Sequence, residues 1–202
     1  MMKDWTGNKN SIYKTLGASN HTDKEREVND YYATSPIAID KLLTVEKPTQ
    51  FIWECACGEG HLSERLKEFG YEVYSSDLID RGYYATNVKD FFDVNELDND
   101  YDILTNPPYK YAKQFVLHSL DLLSEGRKAF MFLKLTFLEG KARFKELFNI
   151  APPKSIYVFS ERILCAKNGK FKEMQESSGS AVCYAWFVWE KGFKGETTLK
   201  WI

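Results

Sequence analysis

From about residue 31 onward, short apolar runs alternate with stretches whose apolar residues recur at helical spacing. Residues 51–55 form a short run, apolar except for Glu54, that ends at Gly58-Glu59-Gly60, which predicts a buried strand followed by a tight turn. Leu62, Leu66 and Phe69 then share one helical side and Gly70 follows, predicting a helix over about 61–69 with those three residues inward. Residues 71–76 form a second predicted strand ending at Asp77, and a third ends near 87–90. The fourth, 101–105, runs into Asn106-Pro107-Pro108-Tyr109. A helix over about 111–123, a strand at 129–133, a helix over about 140–148 and strands at 155–159 and 184–189 complete the pattern. Upstream, Pro36 suits the first turn of a helix carrying Ile37, Ile39, Leu42 and Leu43, with Thr34 or Ser35 as its cap.

Strands alternating with helices predict an α/β fold with a mostly parallel seven-stranded sheet covered on both faces. The last two strands have no helix between them and are expected to pair antiparallel at one edge. Residues 31–202 read as one domain and residues 1–30, polar and aperiodic, as a flexible arm. The polar stretch 161–180, with Arg162, Lys167, Lys170, Lys172, Gly169 and Gly179, is the candidate substrate loop.

Composition narrows the class. The chain has 202 residues, 44% hydrophobic and 15% aromatic, which suits a globular domain and excludes a disordered one. No run of about 18 apolar residues is present and the first seven residues lack an apolar signal core, so a cytoplasmic protein with no membrane partner is expected. The net charge of -2 hides an asymmetry: residues 51–100 carry 4 Lys/Arg against 12 Asp/Glu, and residues 101–202 carry 16 against 10. An acidic first segment suits a cationic ligand and a basic second half suits a phosphate backbone. Cys55, Cys57, Cys165 and Cys183 form no Cys-x-x-Cys pair; Cys55, Cys57 and His61 lack zinc-ligand spacing, so reduced, mostly buried thiols and no metal are expected.

Chemistry concentrates after the strands. A planar amine is a poor nucleophile because its lone pair is delocalised, and two acceptors on its N–H groups push it toward a tetrahedral, reactive state. The Asn106 side-chain oxygen and the Pro107 carbonyl are two such acceptors. Pro107 and Pro108 stiffen the frame, and Tyr109 offers a flat face for stacking. Tyr109, Lys110, Arg162, Lys167, Lys170 and Lys172 form the candidate substrate set. Glu54, Ala56, Gly58 and Gly60 make a strand-to-helix turn in which Glu54 can hold an ammonium and the glycines admit close approach. A dinucleotide fold requires a third glycine where Ser63 stands. Asp77 can accept both hydroxyls of a ribose, and Asp90 an adenine amine whose ring packs on Phe91. Tyr32, Thr34 and Ser35 stand where a helix start can hold a carboxylate.

Taken in order, the Tyr32–Pro36 segment, the Glu54–Gly60 turn, Asp77, Asp90 and the Asn106–Tyr109 tetrapeptide resemble the amino-methyltransferase family of DNA adenine methyltransferases. Small size and the 186–189 edge strand resemble its compact phage-type members. The resemblance implies a Rossmann-like fold, S-adenosyl-L-methionine as cofactor, DNA as partner and adenine N6 as methyl acceptor. RNA adenine and protein glutamine are alternative acceptors, and a cofactor-binding subunit without catalysis is a third reading. A cytosine amine fits less well, since that branch more often opens its tetrapeptide with Ser. The chain departs from the family in lacking room for a separate recognition domain and an aromatic residue after Phe159.

Overall fold

The computed structural model describes residues 32–166 and 182–202. Its main sheet has eight strands: β2 (Phe51–Glu54), β3 (Glu72–Asp77), β4 (Thr86–Val88), β5 (Asp102–Thr105), β6 (Lys128–Lys134), β7 (Ser155–Val158), β9 (Tyr184–Glu190) and β10 (Thr198–Trp201). A separate ribbon pairs β1 (Ala33–Thr34) with β8 (Cys165–Ala166), antiparallel. The sheet order is β10-β7-β9-β6-β5-β2-β3-β4.

Helices α1 (Ile37–Leu43) and α2 (His61–Glu68) cover one face of the sheet through Ala38, Ile39, Leu42, Leu62 and Leu66. Helix α3 (Ala112–Leu122) covers the other through Ala112, Phe115 and Val116. The strands between them are apolar on both sides, as burial on both faces requires. In β6, Phe130 and Phe132 enter the α1/α2 core, while Ala129, Met131 and Leu133 enter the α3 core. The buried indoles of β9 are both satisfied: Trp186 donates to the Ala38 carbonyl at 2.8 Å and Trp189 to that of Ala151 at 3.0 Å. At the opposite end of the strands Asp102, 3% exposed, accepts from the backbone N–H of Thr49 (2.8 Å) and Lys128 (2.7 Å).

Several expectations are corrected. The sheet has eight strands rather than seven. The eighth, β10, is only four residues long and exposed along its length, and it is held by its backbone ladder to β7. The segment 186–189 is therefore not an edge strand. β9 lies between β6 and β7, antiparallel to both, and the edge beyond β7 is formed by β10, which runs parallel to it. Phe69 points outward, 48% exposed, beneath the Arg65 guanidinium. Thr34 belongs to β1, and α1 starts without a side-chain cap. The helix expected over 140–148 is a short α-turn, Lys141–Arg143, continued as a π-helix over Phe144–Phe148. The first 30 residues lie outside the described part.

Candidate active site

The parallel strands β2, β3, β4, β5 and β6 all point their carboxyl ends to one side, where a cavity of about 1090 Å³ opens. Such crevices are where ligands sit in open α/β sheets. Each strand end or the turn after it delivers one polar group: Glu54 from β2, Asp77 from β3, Asp90 after β4, Asn106 after β5 and Lys134 from β6.

The acidic side is tightly built. Glu54 is 2% exposed and accepts from the Ser63 hydroxyl, which lies 2.7 Å from the Ser75 hydroxyl. Burial pushes the Glu54 carboxyl up to about 8, outweighing the hydrogen bonds that would lower it. Asp77 accepts from Gly58 N–H at 2.8 Å and from Ile79 N–H at 3.0 Å, one backbone donor to each oxygen. Asp90 accepts from Phe92 N–H at 2.9 Å and caps the 3-10 turn Phe91–Asp93. Phe91 is mostly given to the core, stacked on Phe115 with centroids 4.7 Å apart, while Phe92 beside it is 39% exposed.

The other side is built from segments far apart in sequence. The Asn106 amide donates through Nδ2 to the Tyr32 carbonyl at 3.1 Å and to the Thr34 hydroxyl at 2.8 Å. A backbone carbonyl can only accept, so the amide's orientation is fixed. Its oxygen, Oδ1, is buried with no hydrogen-bond partner among the described residues. The Pro108 carbonyl accepts from Tyr111 N–H at 2.8 Å, and no donor among the described residues takes the Pro107 carbonyl. The Tyr109 ring stacks near Tyr184, centroids 6.2 Å apart, and burial raises its phenol well above the ordinary value. The Lys134 ammonium stands over the Tyr109 ring, 4.5 Å from its centroid.

Of the residues singled out from the sequence, Tyr32, Thr34, Glu54, Ala56, Asp77, Asp90, Phe91, Asn106, Pro107, Pro108, Tyr109 and Lys110 line this cavity. Ser35, Gly58 and Gly60 do not line it. Ser35 N–H bonds to the Leu164 carbonyl at 3.0 Å, continuing the β1–β8 ribbon. The two glycines shape the turn: Gly58 at φ 55 presents its N–H to Asp77, and Gly60 at φ 79 lies where a Cβ would meet the Tyr83 ring at 2.4 Å. Arg162 is exposed and donates to the Cys183 sulfur at 2.9 Å, outside the cavity wall. Lys167, Lys170 and Lys172 lie outside the described residues. Cys55, Cys57 and Cys165 are buried free thiols and Cys183 is exposed; burial pushes Cys57 up to about 12.

Sequence reasoning missed His61, Leu78, Ile79, Arg81, Phe92, Phe115 and Lys134 on the wall. Leu78, Ile79 and Arg81 follow Asp77 directly, and Lys134 closes an apolar run of five residues; both are signals of a strand end facing a ligand. No helix among the described residues is long and apolar enough to cross a membrane.

No family model matches this chain, and no curated protein sequence matches it. Solved structures do. A candidate class I S-adenosylmethionine-dependent methyltransferase from Listeria monocytogenes aligns with a TM-score of 0.52 at 14% identity, covering 82% of this chain and 62% of its own. A candidate RNA methyltransferase from Pyrococcus horikoshii aligns at 0.55 and 11% identity over 92% of this chain and 100% of its own. The modification subunit of a candidate type I restriction enzyme from Vibrio vulnificus YJ016 aligns at 0.55 and 14% identity over 96% of this chain. This chain spans 49% of that subunit, and less than two thirds of the Listeria protein. The chain therefore has the Rossmann-like fold of class I S-adenosylmethionine-dependent methyltransferases.

Proposed function

We propose that this protein transfers a methyl group from S-adenosylmethionine to the exocyclic amine of adenine in DNA. The observation that carries this reading is the Asn106 amide. Asn106 lines the cavity, its nitrogen is anchored by Tyr32 and Thr34, and its oxygen is buried with no partner among the described residues. A buried polar atom without a partner costs about 1–3 kcal/mol. A target amine donating to Oδ1 relieves that cost, and its second N–H has the Pro107 carbonyl as acceptor. The two bonds draw the nitrogen toward a tetrahedral geometry while the Tyr109 ring stacks the base. No strong base is needed, because the proton on the alkylated nitrogen is acidic. A chain kept only as a non-catalytic subunit has no use for an amide held this way.

The acidic side fits the cofactor. S-adenosylmethionine carries cationic and donor groups, and it supplies an electrophilic methyl on a sulfonium. Glu54 faces its ammonium, Asp77 retains one lone pair per oxygen for the ribose hydroxyls, and Asp90 takes the adenine amine. Orientation and hydrogen-bond activation are the chain's main contributions to rate. The fold is shared by the Vibrio modification subunit and the Pyrococcus candidate RNA enzyme alike, so it does not select the acceptor. DNA is preferred because the tetrapeptide and the upstream Thr34 segment occur in the order of the DNA adenine family. The test is transfer from labelled S-adenosylmethionine to separate DNA, RNA and protein pools, with nucleoside and amino-acid analysis of the product. N6-methyladenine in DNA is the expected result. Label only in RNA adenine or in a glutamine amide would reassign the acceptor, and no label in any pool would leave a cofactor-binding subunit.

A further inference from the structure

Resting on the methyl-transfer reading above, we propose that Lys134 pairs with a phosphate adjoining the target base, so that the site reads a nucleotide within a strand rather than a free base or a protein amide. Lys134 is the last residue of β6, which runs three residues past the Met131–Thr105 pairing with β5 and so stands beside Asn106–Tyr109. Phe130, Phe132 and Lys134 alternate onto one side of that strand. Phe132 stacks on Tyr184 with centroids 4.9 Å apart, Tyr184 on Tyr109, and the Lys134 ammonium ends the series over Tyr109. The cation thus occupies space at the ring on which a planar substrate stacks.

Its surroundings offer the ammonium no counter-ion among the described residues: Lys134 is half-buried on the cavity wall, and no carboxylate there pairs with it. Lysines away from the cavity are treated differently: Lys113 is paired with Glu146 and, at the other end of the sheet, Lys128 with Glu46 and Lys154 with Glu190. An ammonium without a counter-ion is available to an incoming anion, and a tyrosine face holds it only weakly. An ammonium kept at this position is therefore a group awaiting an anion that arrives with the substrate. A base stacking on Tyr109 displaces the ammonium from the ring, and the flexible four-carbon stem carries it to the nearest anion, the phosphate attached to that nucleotide. A glutamine side chain brings no such anion.

The test is a cycle between the protein and the substrate. Wild-type, Lys134→Met and Lys134→Arg are assayed on oligonucleotide libraries with one adenine in randomised C/G/T surroundings. The phosphates flanking that adenine are either natural or replaced by neutral methylphosphonates, on the 5′ side in one library and the 3′ side in another. Lys134→Met is expected to lower kcat/KM on the natural library by about 10- to 100-fold, mostly through KM, as for loss of a charge-assisted bond. Lys134→Arg should recover most of it. One neutral linkage should cost wild-type a similar factor and cost Lys134→Met almost nothing further. Cofactor affinity and melting temperature should be unchanged or higher in Lys134→Met. Independent losses from the variant and from both neutral linkages would overturn the phosphate pairing while leaving the methyl-transfer reading intact. No transfer by wild-type to any library would overturn both.

Discussion

The two ends of the cavity are built on opposite plans. At the acidic end each carboxylate already has a partner: Ser63 for Glu54, the Gly58 and Ile79 amides for Asp77, and the Phe92 amide for Asp90. Three of these four partners lie within a few residues or on the adjoining turn. At the amide end two polar groups of cavity-lining residues are left wanting among the described residues: Asn106 Oδ1 has no partner and Lys134 has no carboxylate. The groups that hold Asn106, Tyr32 and Thr34, come from 74 and 72 residues away. A pre-satisfied acidic end tolerates a vacant cavity and holds its shape. On the proposed reading, an unsatisfied amide end is relieved by the target amine, and discrimination is gained there.

The sharpest way to break this contrast is Asn106→Ala. Turnover should fall by a factor on the order of a hundred or more, as when an oriented polar group is lost from a transition state, with far less change in cofactor affinity. Near-normal turnover in a single-turnover assay would remove the tetrapeptide from the chemistry.

Glu54 gives an effect of similar size through pH. The folded chain keeps a proton on Glu54 up to about 8, whereas an ordinary carboxyl loses it near 4.5. Between those values the folded state binds more protons than the unfolded state. Stability from this group is therefore full below 4.5 and is lost as pH rises through 8. Affinity for a cationic cofactor should run the other way, weakening about tenfold per pH unit below 8. Glu54→Gln should flatten both profiles, read by calorimetry and by thermal melts across pH 5–9. A cofactor affinity independent of pH in wild-type would sink this assignment.

Asp77→Ala should weaken cofactor binding by about 1–3 kcal/mol, the range for hydrogen bonds to a charged group. It should also lower the melting temperature, because the Gly58 and Ile79 amides lose their acceptor. Unchanged calorimetric affinity in the folded variant would take Asp77 out of the site.

The smallest effect is expected for Thr34→Val, which removes one acceptor from the Asn106 nitrogen but keeps the Tyr32 carbonyl. Loosening by one hydrogen bond, worth about 0.5–1.5 kcal/mol, should lower kcat by a few-fold to about tenfold. Cofactor affinity should stay level. An equal loss in cofactor affinity would place Thr34 at the acidic end instead.

Legibility followed the range of the interactions. Glu54, Asp77 and Asn106 could be picked out because each ends or directly follows a run that forms a strand, Asp90 because it comes two residues after β4, and a parallel sheet brings such ends together. The glycine turn was legible as a turn, but its glycines serve Asp77 and Tyr83 rather than the cavity. Thr34 looked like a helix cap because Pro36 follows it; the β1–β8 pairing makes it a strand residue anchoring Asn106. β10 alternates Thr198, Leu199, Lys200 and Trp201, but four residues are a weak signal and none of them is buried, so its pairing with β7 is what reveals it. The reversed strand β9 was expected from the missing crossover helix, but its place inside the sheet was not.

By itself the sequence determined the α/β class, the strand ends and the order in which acidic and amide groups appear along them. Periodicity and turn chemistry act over a few residues, and they are written locally. Tertiary structure alone decided which atoms are left without partners. The orientation of the Asn106 amide depends on a carbonyl and a hydroxyl brought by a distant ribbon. The raised Glu54 carboxyl depends on burial among Ser63, Ser75 and the sheet. The cation over Tyr109 depends on β6 outrunning β5 by three residues. Hydrogen-bond satisfaction and desolvation are properties of an assembled interior, and no local pattern encodes them.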